Sequence, residues 1–377
     1  MQKNNNLLRT HKNVTTTTIF YARMKMKIRF AHLIVVTIIN FATSLSLSTM
    51  KVISLYRYAV KGLSGDPILT SSSSPTDLPI PEHSSSQITS PLFLKPGETF
   101  PDDRRFAFIK SKEGKESPYD PQNPQWLHKE NFLCAFSAPV LMATFDTEYR
   151  VVMVESIEHK GKKNKNDVRR ELTIWKRNRL LPRSEHLLGP LNLSSEKDRE
   201  AVSCFFSSAC GERVELVGKE TSLNTHQFGN TRSGVKAIND TRTIHIVNAA
   251  TIREVSEKIG VELTPRRFRP NIVVDGWEPW MEFEAVGKSI QCYDPSGNGN
   301  SDNDGLILDI ISKTVRCEGI SIDPHDENED QLPLDMPKLL QKHFPEHGPY
   351  LGVYAIIRKG GNLCEGSHFR VIENESK

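Results

Sequence analysis

Two segments in the second half of this 377-residue chain combine residue types able to hold an anion and a soft metal. Arg267-Phe268-Arg269-Pro270-Asn271-Ile272-Val273-Val274-Asp275-Gly276 sets two guanidinium groups and an amide at the head of an apolar run. Forked donors placed there can clasp a phosphate or another flat anion. Arg316-Cys317-Glu318-Gly319-Ile320-Ser321-Ile322-Asp323-Pro324 sets a cysteine directly after an arginine, whose charge favours the thiolate. An anion cradle with one activated thiolate can grip a phosphorylated metal cofactor by its tail and its metal. Taken alone, a free cysteine in an apolar stretch is more often an inert core residue. Arg269 has an ordinary alternative too, as a surface partner of Asp275 or Glu262.

Other chemistries find little footing. The six cysteines (134, 204, 210, 292, 317, 364) form no CxxC pair, so zinc-site and iron-sulfur spacings are absent. His226, His245, His325, His343, His347 and His368 show no ligand spacing, and Pro345 interrupts the His343/His347 pair. None of them is expected to be catalytic. There is neither a Gly-rich phosphate loop nor a G-x-S-x-G elbow. With 49 basic against 46 acidic residues, the net charge of +3 gives no field for nucleic acid.

The elements that must position these groups are mostly strands. Val52, Ile53 and Leu55 begin one that runs to a Lys61-Gly62 turn, and strand patterns recur at 105–110, 150–155, 213–217, 243–247 and 271–275. Leu351–Ile357 with Phe369–Ile372 reads as a closing hairpin around Gly360-Gly361. The clearest helix runs from Thr251, paired with Glu254 as a capping box, to Ile259, with Gly260 as its stop. Its first free N–H groups beside Asn248 and Thr251 invite an anion, although simple capping by Thr251 accounts for the same residues. Two inserts interrupt the pattern. Residues 67–99, rich in Ser and Pro, read as an exposed loop, and Lys160–Arg183 as a basic, solvated one.

Before Asp66 the chain has no acidic residue. Met24 to Arg29 is basic, Phe30 to Ala42 is apolar with His32, Thr37 and Asn40 inside it, and Ser44, Ser46 and Ser48 follow. That order predicts a targeting signal over 1–49, for the secretory pathway or an organelle. The alternative is a membrane anchor through residues 30–48 that leaves the rest facing the cytosol, although the run is short for a span of roughly 20 residues.

The two chemical segments resemble the MOSC domain, the module named after the carboxy-terminal part of molybdenum cofactor sulfurases. The likeness extends through HQFGNTRSG (226–234), HIVNAATIREV (245–255), GWEPWMEFEAVGKSI (276–290) and LGVYAIIRKGGNLCEGSHFRVI (351–372). It also reaches the amino-terminal half in LYRYAVKGLSGD (55–66) and FPDDRRFAFI (100–109). The strand-rich pattern points to a β-rich α+β fold, and the resemblance makes it a barrel-like MOSC core preceded by a smaller β-rich amino-terminal domain. The implied division is 50–156 for that domain, 157–200 for the basic insert and 201–372 for the MOSC domain.

The resemblance further implies molybdenum cofactor (Mo-molybdopterin) as ligand, with Cys317 as metal ligand and catalytic centre. Arg316, Arg269, Asn271, Lys61, Arg104, Asn248, Thr251 and Tyr354 fall at family positions that contact the cofactor, while Tyr354 also suits plain core packing. Two departures stand out. Gly62 replaces the usual Ser after the lysine, and Ile320 replaces a typical Thr near the metal. The activity implied is reduction of a small N-oxygenated substrate with electrons from an external donor protein. A sulfur carrier using a Cys317 persulfide and a non-catalytic binding module are the alternatives. Pyridoxal phosphate is not expected, because no desulfurase domain accompanies these motifs.

Overall fold

The computed structural model describes residues 49–68, 91–111, 119–120, 127–154, 167–177, 186–218, 228, 244–293, 305–323 and 333–372. The expectations for residues 1–48 lie outside this set. Among the described residues no helix is long and apolar enough to cross a membrane.

Strands β1 (Thr49–Arg57), β2 (Asp66–Pro67), β3 (Leu92–Leu94), β4 (Phe106–Lys110), β5 (Phe132–Leu133), β6 (Phe145–Val154), β7 (Asp167–Lys176), β8 (Leu188–Asn192) and β9 (Val214–Gly218) come first. They are followed by β10 (Ile244–Asn248), β11 (Ile272–Asp275), β12 (Ser289–Tyr293), β13 (Ile307–Val315), β14 (Tyr350–Lys359), β15 (Gly361–Leu363) and β16 (His368–Ile372).

Seven of these strands close a barrel in the order β11-β10-β14-β13-β12-β16-β1, and β1 returns to β11. All neighbours are antiparallel except β10 and β11. Closure removes the exposed edges that an open sheet of this size would carry. In β1 the inward residues are Met50, Val52 and Leu55, a sequence spacing that changes phase where the register shifts between Val52 and Ser54. The bulge there lets both halves of the strand face one core. Ile246, Ile272, Val274, Leu308, Ile310, Val353 and Phe369 complete the interior, and Ile252 and Val255 of the helix Ala249–Ile259 pack against the same core.

A second core lies outside the barrel. Strands β4, β5 and β9 form one sheet and β6, β7 and β8 another. Phe108, Phe145, Tyr149, Leu172 and Ile174 pack there with Val202 and Phe206 of the helix Glu196–Cys210. The boundary drawn at 200/201 therefore falls within a single helix of this layer, and β1, from the amino-terminal half, belongs to the barrel.

Four local expectations are corrected. Part of the basic insert is β7, paired along its whole length with β6, because Leu172 and Ile174 alternate inward between the less buried Glu171, Thr173 and Trp175. The end of the Ser/Pro-rich insert is β3, whose Leu92 and Leu94 are buried against β15. No hairpin joins β14 to β16; β14 lies between β10 and β13, while β16 lies between β12 and β1. The helix expected from Thr251 begins at Ala249 with Asn248 as its cap, accepting from the Ala250 N–H. Gly260 ends it in the left-handed region, as its type suggests.

Candidate functional site

Loops and strand ends at one end of the barrel converge on a cationic cluster. Lys61 follows β1, and Asp103 and Arg104 precede β4. Arg269 ends the 3-10 turn Pro265–Phe268, whereas Arg316 and Cys317 follow β13. His245 and Tyr354 are cross-strand partners on β10 and β14, with ring centroids 5.5 Å apart.

The turn at Arg269 organises the cluster. Its φ of 56° lies in the left-handed region, where a non-glycine residue costs of order 1 kcal/mol or more. That conformation turns the Arg269 carbonyl toward Arg104 Nη2 at 3.2 Å and toward His245 Nδ1 at 3.3 Å. Meanwhile Arg269 Nη2 donates to the Leu63 carbonyl at 2.7 Å, and the guanidinium sits 4.5 Å above the Tyr58 ring. Arg104, itself at φ 47°, stacks on the same ring at 5.1 Å and pairs with Asp103. Two guanidinium groups thus lie over the Tyr58 ring.

Most of the cations are solvated by carbonyls. Lys61 Nζ donates to the Phe228 carbonyl at 2.6 Å and lies over the Phe132 ring. Arg316 Nη2 donates to the Phe268 carbonyl at 2.9 Å. Carbonyl dipoles satisfy donors but do not cancel charge, so burial bears on each group. It lowers Lys61 to about 8 and Arg269 to about 10, with Arg104 adding to both shifts. Burial also lowers Arg316 and holds His245 well below its ordinary value, with Arg316 adding to the latter. Tyr58 is pushed the other way by burial. Two buried donors, Arg316 Nε and the Tyr58 hydroxyl, have no hydrogen-bond partner among the described residues. Lys61, Arg269 and Arg316 all stand close enough to Arg104, which pairs with Asp103, to feel its charge, so the cluster carries an excess of positive charge and donors of a kind suited to an anion.

Cys317 is exposed at the rim of this cluster. Arg267, buried and bonded to the Ile320 and Ser321 carbonyls at 3.0 Å each, pins the turn that follows the cysteine. Its Nε also stands 3.7 Å from Asp323. Arg267 therefore holds the thiol's loop and does not face the cluster. It lies in the 3-10 turn Pro265–Phe268.

Gly62 accounts for one departure from the family pattern. Its φ of 96° is suited to glycine, and a Cβ there would stand 2.7 Å from Cys134 Cα. The missing side chain makes room for the Cys134–Phe136 segment, which reaches on to the Cys317 turn: a Cβ on Gly319 would lie 3.5 Å from Cys317 Sγ and 3.6 Å from the Phe136 nitrogen.

Three expected contacts are spent within the protein. Asn271 is fully buried, accepts from the His245 N–H at 3.1 Å and donates to the Tyr56 carbonyl at 3.3 Å, which ties β10, β11 and β1 together. Asn248 and Thr251 are also fully buried; both donate to Glu282 Oε2, at 3.3 and 2.9 Å. The side chains at the helix start are thus engaged by the chain's own Glu282 carboxyl, which burial raises to about 7. Lys61, Arg104, Arg269, Arg316, Cys317 and Tyr354 are brought together, whereas Asn248, Thr251 and Asn271 are buried and hydrogen-bonded within the protein. Asp275, offered above as a partner for Arg269, instead pairs with Arg253 at 2.8 Å.

His245, Tyr58 and Asp103 were not foreseen as site residues. His245 has no ligand spacing to mark it, and only its place inside an apolar strand hints at a satisfied interior role. Asp103 lies beside Arg104 in DDRR, so its pairing was within reach of the sequence.

Comparison with known proteins places a MOSC domain at residues 225–370. Molybdenum cofactor sulfurase of Caenorhabditis elegans is 28% identical over 149 residues, 37% of this chain and 19% of that protein. The chain thus spans about a fifth of that relative's length. Among solved structures, the YuaD protein of Bacillus subtilis matches 35% of this chain and 64% of its own, at 17% identity and a TM-score of 0.23. YiiM of Geobacillus stearothermophilus matches 34% of this chain and 54% of its own, at 15% identity and a TM-score of 0.25.

Proposed function

We propose that this chain, whose residues 225–370 form a MOSC domain, binds molybdenum cofactor at the cationic end of its barrel and reduces N-oxygenated compounds there. The observation that carries this reading is the gathering of Lys61, Arg269 and Arg316 about Arg104 beside the exposed Cys317 thiol, with Arg316 Nε and the Tyr58 hydroxyl lacking a hydrogen-bond partner among the described residues. The residues present fit the group: forked cations suit its phosphate, and a thiolate suits its soft metal. When bound, the cofactor would supply two-electron redox chemistry.

The chain's own part is to bind and orient. Arg269 and Arg104 offer donors to the anionic tail while Tyr58 fixes their planes. Arg316 sits one residue from Cys317 and is anchored by the Phe268 carbonyl, which holds its charge beside the thiol that would ligate the metal. His245, kept neutral by burial and by Arg316, bridges Arg316 to the Arg269 carbonyl and fixes the two arginines relative to one another. The electrons come from a separate donor protein. The test is turnover of an N-hydroxylated amidine with a chemical reductant: oxygen loss that depends on Cys317 supports the reading, and turnover unchanged in Cys317→Ser refutes it.

A second reading, transient sulfur carriage on Cys317, is favoured by the exposure of that thiol. Cyanide-labile sulfur on Cys317 in metal-free protein would establish it instead.

A further inference from the structure

Two other cysteines meet at the far end of the barrel. Cys292 on β12 stands opposite Phe369 on β16, and residues two apart on a strand share a face, so its diagonal neighbour past Phe369 is Ser367. Ser367 ends a tight turn: its N–H donates to the Cys364 carbonyl at 3.1 Å, while its hydroxyl accepts from the Cys364 N–H at 3.0 Å. The turn sets Cys364 Sγ 3.3 Å from Ser367 Oγ. The same hydroxyl is within interacting reach of the Cys292 thiol, and so is Cys364, so both sulfurs neighbour one oxygen. Both cysteines are half-buried, which leaves them open to small reagents. Gln291, beside Cys292, pairs with Ile307 at the start of β13, whereas Cys317 follows the other end of that strand.

We propose that Cys292 and Cys364 are a redox-active dithiol that closes to a disulfide, joining β12 to the turn between β15 and β16. The oxidant is a small-molecule disulfide such as oxidised glutathione. Cys364, as its thiolate, attacks one glutathione sulfur, breaks the S–S bond and releases the first glutathione as thiolate. Cys292 then gives up its proton and attacks Cys364 Sγ, and the second glutathione leaves. Two protein thiols lose two electrons, the glutathione disulfide gains them, and the two thiol protons end on the two glutathiones. Burial pushes the Cys292 thiol up to about 11, which suits it to the second step, where it acts on a mixed disulfide already formed beside it. Closing a long loop between β12 and the final turn stiffens the barrel mouth opposite Cys317.

The test needs no cofactor. Full-length reduced protein is incubated with oxidised glutathione, quenched with acid, alkylated and digested for mass spectrometry. The expected product is a peptide pair joined through Cys292 and Cys364, with a thermal midpoint several degrees above that of the reduced protein. In Cys292→Ser, Cys364 should retain one glutathione that does not leave. Wild-type protein in which both cysteines are still alkylated, or in which Cys364 is joined to another cysteine, would overturn the proposal. That readout stands even where the serine variant does not fold.

Discussion

Nη1 of Arg316 lies 3.4 Å from Nε2 of His245, so a guanidinium and an imidazole share a buried space in which only the guanidinium is charged. Nε2 then accepts from Arg316, and Nδ1 carries the proton toward the Arg269 carbonyl at 3.3 Å. A histidine whose folded value lies below its ordinary 6.5 adds stability above that pH and loses it as the pH falls through the folded value. Thermal midpoints measured from pH 7.5 downward should therefore drop more steeply in the wild type than in His245→Gln. Parallel curves below pH 6.5 would contradict the buried neutral imidazole.

Glu282 works in the opposite sense. Burial raises its carboxyl from 4.5 to about 7 despite donors from Thr251 and Asn248, so its contribution is complete below 4.5 and declines as the pH rises through 7. Asp66, raised by burial from 3.8 to about 7, declines over the same range. Glu282→Gln should flatten this fall without abolishing it, since Asp66 remains. An unchanged slope between pH 5 and 7.5 would show that Glu282 is ionised throughout.

Gly62→Ser would restore the residue that the family usually carries, yet this chain should tolerate it poorly. The left-handed φ and the 2.7 Å approach to Cys134 Cα together predict a loss of about 1–3 kcal/mol in denaturant unfolding. A variant as stable as the wild type would mean that the Cys134–Phe136 segment does not pack against this turn.

Arg267→Ala removes the cation facing the buried Asp323 and the donors to two carbonyls of the Cys317 turn. A cost of about 3–5 kcal/mol is expected from breaking a buried pair. Arg253→Ala, which breaks a largely exposed pair with Asp275, should cost under about 1 kcal/mol. Equal losses in the two variants would remove the structural role assigned to Arg267.

The sequence disclosed strands β1, β4, β6, β9, β10, β11, β14 and β16 and the helix stop at Gly260, because apolar alternation and glycine leave local marks, but it did not disclose the barrel strands β12 and β13. It did not disclose which polar residues the fold itself would use. Asn248, Thr251 and Asn271 had the right types and lay near the right motifs, but Glu282 and the His245 backbone claim them from 34, 31 and 26 residues away. Strand β7 hid its alternation among charges, and the apparent β14–β16 hairpin was undone by pairings with β13 and β12, which adjacency in sequence does not reveal. His245 escaped notice for the same reason: its role depends on Arg316, 71 residues on.

The most direct test of the central claim is the molybdenum and pterin content of protein purified from a host able to make the cofactor. The wild type should carry both in near one-to-one amounts. Cys317→Ser should lose most of its molybdenum while keeping its thermal midpoint, and Arg269→Ala should lose pterin more readily than Lys61→Ala, whose single charge is replaced more easily by its neighbours. Wild-type protein that folds but holds neither molybdenum nor pterin, or Cys317→Ser protein that retains the metal in full, would contradict the account.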